Sequence, residues 1–312
     1  MKSILIEQPG HFKIIDQAIP RQADDELLIR VAYVSLCNQH DWKVNKGLYR
    51  DQVYLEYGVP GFPGHEGVGI VEAVGKNAGD FKIGEVVVMS GLGGPPLYSQ
   101  YVTRKSALVA RAPSGVAMEL LAMSELIACV HRACRKVPEL EDKAILISGC
   151  GPGGLAAVQI CRAYGARTIT AVDVQADRLQ LALTLGADTA VDAKEDAAVQ
   201  ALSRQGVEIV IECSGNHKAM QNAFRIARQA IVIFSYSEGE LRIPLWPLFD
   251  YELTIYNSKW LTNEDLQSVV DLIVAGKIRT APMISTIADF THYPELVEKI
   301  GRGEIIKAVM RA

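Results

Sequence analysis

Residues 144–154 read Ala144-Ile145-Leu146-Ile147-Ser148-Gly149-Cys150-Gly151-Pro152-Gly153-Gly154, and Leu155-Ala156-Ala157-Val158-Gln159 follow directly. The first five residues have the length and apolar character of a buried strand, and the stretch after Gly154 continues as a helix. In a G-x-G-x-x-G turn each glycine has its own duty. One makes the tight turn, one lets the backbone approach a pyrophosphate, and one packs helix on strand, with the phosphate charge at the helix N-terminus. Gly149, Gly151, Pro152, Gly153 and Gly154 are therefore candidate dinucleotide contacts. The same glycines would also suit a turn that merely closes a strand–helix corner, and an acidic residue downstream separates the two readings. Asp173 stands 19 positions beyond Gly154, at the end of the next strand-like run. A carboxylate there accepts hydrogen bonds from a ribose and repels a 2′-phosphate, which points to NAD rather than NADP. Arg178, on the following helix, either flanks the adenine or accommodates a phosphate.

Outward from this turn, apolar runs at 143–148, 168–173, 209–213, 230–235 and 253–256 alternate with helical segments. That alternation is the pattern of a parallel sheet covered on both faces. Upstream the texture differs. Residues 1–112 carry short β-rich runs at 27–34, 67–74, 85–89 and 101–102, punctuated by Gly and Pro, which reads as a mostly antiparallel β domain. A helical period begins near Met118 and runs through Glu125 to Cys134. After Trp260 come a further helix over 263–275 and a strand-like run at 305–310, a tail longer than the sheet needs. At 312 residues the chain exceeds what one core usually serves. With no internal repeat or low-complexity linker, two domains sharing a close interface and a cleft are expected.

The net charge of -4 is mild, and the 32 lysines and arginines are scattered, so no electrostatic footprint for nucleic acid or an anionic membrane is present. A small neutral substrate fits this surface better. The opening residues become charged too soon for a secretory segment, and no apolar run approaches the ~20 residues of a membrane span. A cytoplasmic protein is expected. Its six cysteines, at 37, 129, 134, 150, 161 and 213, are irregularly spaced, which fits reduced thiols better than a disulfide framework.

Cys37, His65, Glu66 and Glu125 form the set from which a zinc site could be drawn, since catalytic zinc takes three protein ligands from Cys, His and carboxylates and keeps an open position. Cys37 alone reads as buried packing, and only its partners change that. His65 and Glu66 lie in Pro60-Gly61-Phe62-Pro63-Gly64-His65-Glu66-Gly67-Val68-Gly69, among residues too small or apolar to solvate them. Adjacent side chains of an extended segment point apart, so both reach one metal only if the backbone bends.

On these residues the chain resembles a zinc-dependent medium-chain alcohol dehydrogenase, and within that family the sorbitol and polyol dehydrogenase branch. The resemblance runs over essentially the whole chain. It rests on Leu36-Cys37, on Pro63 to Gly69 followed by Val74-Gly75 and Phe81-Lys82-Ile83-Gly84-Glu85-Val86-Val87, on Glu125 with Ala133-Cys134-Arg135-Lys136, and on Lys307-Ala308-Val309. The resemblance implies a GroES-like catalytic domain built from 1–124 and 262–312, with a Rossmann domain at 125–261 inserted between them. It also implies Cys37, His65 and Glu66 as direct metal ligands, with Glu125 bound directly or through water. Two departures stand out. The four-cysteine lobe that holds a structural zinc in many relatives is missing between Val88 and Tyr101, so one zinc per chain is expected. After the cysteine the family commonly has Gly-Ser-Asp or Gly-Thr-Asp, whereas this chain has Asn38-Gln39-His40-Asp41. With one residue inserted, His40-Asp41 takes the place of the hydroxyl–aspartate pair. An imidazole near its ordinary pKa of ~6.5 would then carry the proton outward, or else His40 only bonds its own loop.

The activity implied is hydride transfer between a secondary alcohol or polyol and NAD, with zinc making the hydroxyl acidic and His40, Asp41 and Glu66 as catalytic side chains. A zinc-independent enone or quinone reductase of the same superfamily is the alternative, and a non-catalytic NAD-binding regulatory protein is a further one. Leu48-Tyr49, residues 54–57, Leu97-Tyr98 and Trp246 are candidates to line a pocket without defining its substrate. Residues 240–243 and 253–256 are candidate edges for pairing with a second copy, as a homodimer or homotetramer.

Overall fold

The computed structural model describes residues 1–49 and 55–312, so Tyr54 among the pocket candidates lies outside the described residues. The chain forms two compact units. One comprises Met1–Leu126, Asn263–Ala275 and Thr280–Ala312, the other Ile127–Thr262 and Gly276–Arg279.

The first unit opens with a hairpin of β1 (Lys2–Gln8) and β2 (His11–Asp16), followed by β3 (Glu26–Ser35), α1 (His40–Lys46), β4 (Glu66–Val74), β5 (Val86–Ser90), β6 (Tyr101–Lys105) and β7 (Val109–Ala112). In β3 the residues Leu27, Ile29 and Val31 are buried in strict alternation, after which burial falls on Val34 and Ser35. The cause is a bulge: Val31 pairs with Gly69 but Tyr33 with Val68, so β3 carries one residue too many. Such an insertion re-aims everything downstream, here the end of β3 that leads into Cys37. Helix α2 (Ser124–Cys134) then carries the chain into the second unit.

That unit alternates β8 (Ala144–Ser148), α3 (Pro152–Ala163), β9 (Thr168–Asp173), α4 (Ala176–Thr184), β10 (Thr189–Asp192), α5 (Asp196–Gln205), β11 (Val207–Glu212), α6 (His217–Ile226) and β12 (Ala227–Ile233), and ends in α7 (Trp246–Asp250) and β13 (Thr254–Asn257). The strands lie in the order β10-β9-β8-β11-β12-β13, all parallel. Ile145, Leu146 and Ile147 are all buried, as a strand covered on both faces requires. The direction of winding reverses between β8 and β11, and in an open parallel sheet ligands bind outside the carboxyl ends of the strands at such a point. Strand β10 was not legible in the sequence, because Thr189–Asp192 is short, half-exposed and lies at the sheet edge. Residues 240–243 belong to no strand, so of the two expected edge segments only the one ending in β13 is a strand.

The chain returns to the first unit with α8 (Asn263–Val274), β14 (Ile284–Asp289), α9 (Tyr293–Gly301) and β15 (Lys307–Arg311). Among the described residues its larger sheet runs β14-β15-β3-β4-β5-β7, with β6 on β3. Strand β15 lies antiparallel to β3, where Val309 faces Ser35, so residues from opposite ends of the chain meet beside Cys37. The architecture is α/β, as expected: a β-rich unit and a unit with a doubly wound parallel sheet. No helix among the described residues is long and apolar enough to cross a membrane.

Candidate active site

In the second unit the glycine-rich turn leaves the carboxyl end of β8 and enters α3 with Pro152 at the start of the helix, where its missing N–H costs nothing. A side chain at Gly154 would place its Cβ 1.7 Å from the Gly149 carbonyl oxygen, so only glycine closes this corner. Asp173 ends β9 and accepts the Cys150 N–H at 2.6 Å, the Val174 N–H at 2.7 Å and the Gln175 N–H at 2.9 Å. A carboxylate offers roughly four acceptor sites, so Asp173 braces the turn and keeps capacity for a hydroxyl. Burial and the neighbouring Asp173 charge push the Cys150 thiol up to about 12, so it stays a neutral packing group. Gly149, Gly151, Asp173, Arg178, Ser214 and Asn216 line one cavity of about 510 Å³. Pro152, Gly153 and Gly154 form the first turn of α3 and are not part of that lining. Glu212, which sequence reasoning missed, ends β11 and accepts the Ser214 N–H at 2.9 Å together with the hydroxyls of Ser214 and Ser235, fixing the loop across the cavity.

In the first unit Cys37 lies in the turn after β3, His65 immediately before β4, and Glu66 is the first residue of β4. Because the extended pleat begins only at Glu66, His65 escapes the alternation that would aim it away. A sulfur, an imidazole nitrogen and a carboxylate oxygen of these three residues lie within 4.8 Å of one another. His65 Nδ1 donates to the Pro63 carbonyl at 2.9 Å, which leaves the Nε2 lone pair for a metal, 4.0 Å from Glu66 Oε1. Glu125 is nearly buried in the first turn of α2 and stands outside this tight cluster, though its charge acts on His65.

Glu66 is fully buried and already has a partner. The equally buried Lys307 ammonium on β15 donates to Glu66 Oε1 at 2.9 Å, to Oε2 at 2.8 Å and to the Leu36 carbonyl at 2.5 Å, while the Ser35 hydroxyl donates to Oε2. A lysine inside the apolar run 305–310 was the sequence signal for this pair. Asp41, also fully buried, accepts the Cys37 N–H at 2.8 Å and the Tyr98 hydroxyl at 2.9 and 3.0 Å. Burial pushes its carboxyl up to about 6, against the charge of His65 and the hydrogen bonds it accepts.

His40 opens α1 with its ring edge-on to His65, centroids 5.4 Å apart, and its Nδ1 is 2.7 Å from the Tyr49 hydroxyl. Its environment corrects the expectation of an ordinary pKa. Burial, with the nearby His65 charge, holds His40 down to about 3, so its imidazole is neutral at physiological pH.

The donor set fits zinc. Thiolate sulfur, imidazole nitrogen and carboxylate oxygen are its ordinary ligands. Burial opposes a charge on His65, yet its hydrogen bond with Cys37 and the charges of Cys37, Glu125 and Glu66 outweigh burial and hold its pKa well above the usual histidine value. The pocket is therefore one that draws positive charge, which suits a metal cation. Among the described residues this is the one group of side chains close enough to hold a metal.

Comparison with known proteins agrees in both units. The family described as alcohol dehydrogenase GroES-like domain matches residues 23–139, and that described as zinc-binding dehydrogenase matches residues 152–275. The D-arabitol-phosphate dehydrogenase of Enterococcus avium is 28% identical over 349 aligned positions, covering 100% of this chain and 97% of its own. A sorbitol dehydrogenase of Bacillus subtilis strain 168 is 28% identical over 291 positions, covering 82% and 81%. The crystal structure of galactitol-1-phosphate dehydrogenase from Escherichia coli superposes with a TM-score of 0.88 at 22% identity, over 100% of both chains.

Proposed function

This chain belongs to the zinc-binding alcohol dehydrogenases, in their sorbitol- and polyol-dehydrogenase-like branch, and from that premise we propose that it moves a hydride between a secondary alcohol or polyol and NAD. The observation that carries the reading is the convergence of Cys37, His65 and Glu66 ligand atoms within 4.8 Å. Zinc, when bound, acts as a Lewis acid that makes a substrate hydroxyl acidic near neutral pH. Cys37, His65 and Glu66 would hold it, with Glu125 bound directly or through water. Asp41 fixes the Cys37 backbone from beneath. Burial keeps His40 neutral, and its Nδ1, 2.7 Å from the Tyr49 hydroxyl, makes it the residue to hand the substrate proton outward, with a water chain as the other route. Gly149, Gly151 and Arg178 border the cofactor cavity, with Pro152, Gly153 and Gly154 presenting the N-terminus of α3 to the pyrophosphate. Asp173 supports NAD over NADP through its charge.

The first unit serves as the catalytic part and the second as the cofactor part. One zinc per chain is proposed, since no cysteine lies between Val88 and Tyr101. Six cysteines with no disulfide among them support a cytoplasmic setting. The exposed edge strand β13 supports a homodimer or homotetramer. Relatives named for phosphorylated and free polyols support a hydroxyl-rich small molecule as the substrate.

Elemental mass spectrometry of the purified protein tests the reading, with Cys37→Ser beside it. About one zinc per chain, lost in the variant together with NAD reduction by a polyol panel, is expected. Absence of zinc from protein that still binds NADH would move the reading to the metal-free enone or quinone reductase.

A further inference from the structure

Cys37 and His65 stand 28 positions apart in the chain, and one residue touches the segments that deliver both. Tyr98 lies between β5 and β6, in the stretch where the cysteine lobe is missing. On one side its segment is stitched to the turn that presents His65: Leu97 N–H donates to Gly64 O at 2.8 Å and Tyr98 N–H to Gly61 O at 3.1 Å. The fit is tight enough that a Cβ at Gly64 would come within 2.5 Å of both the Tyr98 nitrogen and its ring. On the other side the Tyr98 hydroxyl reaches both oxygens of Asp41, the carboxylate that accepts the Cys37 N–H. The ring is fully buried, packed edge-on against Tyr293 with centroids 5.6 Å apart.

We propose that Tyr98 is a positioning residue of the metal site, its backbone and ring setting the turn that carries His65 and its hydroxyl setting Cys37 through Asp41. The proposal rests on the reading of Cys37 and His65 as metal ligands. Side chains that orient ligands typically change metal affinity 10–100-fold when removed, because the ligands must then be held in place by the ion alone. A phenylalanine at 98 would keep the packing and lose the hydroxyl's bonds to Asp41 and its longer one, 3.3 Å, to the Ser35 carbonyl, so the effect of the hydroxyl is separable from that of the ring, and the Asp41→Asn background isolates the part that runs through Asp41.

The experiment measures zinc affinity by chelator competition and the cobalt–thiolate absorption of the cobalt-substituted protein, in wild type, Tyr98→Phe, Asp41→Asn and the double variant. A tenfold or larger loss of zinc affinity and a shifted thiolate band are expected for Tyr98→Phe. The same change in the Asp41→Asn background is expected to have little further effect, a dependence that a merely structural role would not produce. Unchanged affinity and spectrum in Tyr98→Phe, or equal losses in both backgrounds, would overturn the proposal. If Tyr98→Phe does not fold, Asp41→Asn decides alone, since an unchanged thiolate band there removes the route from Tyr98 to Cys37. Failure of wild type to take up either metal would instead refute the zinc reading before any variant is compared.

Discussion

Lys307 and Glu66 form an ion pair with both partners fully buried, and such pairs are held by their geometry more than by attraction. Removing one partner leaves a charge in a medium that cannot solvate it. Lys307→Met is therefore expected to destabilise the protein by about 3–5 kcal/mol, and Lys307→Met combined with Glu66→Gln to recover most of that loss, as read by chemical denaturation. If the single variant is as stable as wild type, the pair is not the buried ionic contact described here. At the same scale, His40 and Asp41 were legible as adjacent titratable residues near Cys37, but their protonation was not. His40 is held neutral and Asp41 pushed up to about 6 mainly because both are buried, and burial is a property of neighbours that lie far away in the chain. Tyr98 was a pocket candidate by its aromatic character alone, and its hydroxyl turned out to face the interior of the site rather than a substrate.

Among the elements, the strand–turn–helix of β8 and α3 was the easiest to read, because every constraint on it is local. The helix must start within a few residues of the strand end, and only glycine allows the approach at 154. Gly154→Ala forces its Cβ into the Gly149 carbonyl, so it is expected to abolish NADH binding in a fluorescence titration and lower thermal stability markedly. Retention of wild-type NADH affinity would show that the turn tolerates displacement. Strand β3 was read correctly as a strand, but its bulge was not, since nothing in Val31-Ala32-Tyr33 marks which residue is extra. The bulge shows only in the register of β3 against β4, and the segment just past it, Tyr33 to Ser35, is also the one that β15 pairs with. Without the shift the end of β3 would present the opposite face, and Ser35 would no longer meet Glu66.

At the scale of the whole molecule, the second unit leaves β13 unpaired on one side, and the segment leading into it exposes Leu245 at 71% and Phe249 at 86% of full accessibility. Exposed large apolar side chains and an edge strand that follows them in the chain are the features a second copy would cover. Phe249→Asp is expected to shift the mass measured by light scattering from dimer or tetramer toward monomer, with zinc content unchanged. A wild type that is monomeric at micromolar concentration would remove this assignment. The sequence by itself determined the α/β class and the dinucleotide turn with Asp173, because strand–helix alternation and glycine sterics are written in neighbouring residues, and it offered Cys37, His65 and Glu66 as ligand candidates through their donor chemistry together with the family resemblance. Only the tertiary structure decided that Lys307 of the last strand closes on Glu66, that Tyr98 joins the two ligand segments, and that His40 is neutral. Each of these depends on contacts between residues tens to hundreds of positions apart, and on the low solvation they create together.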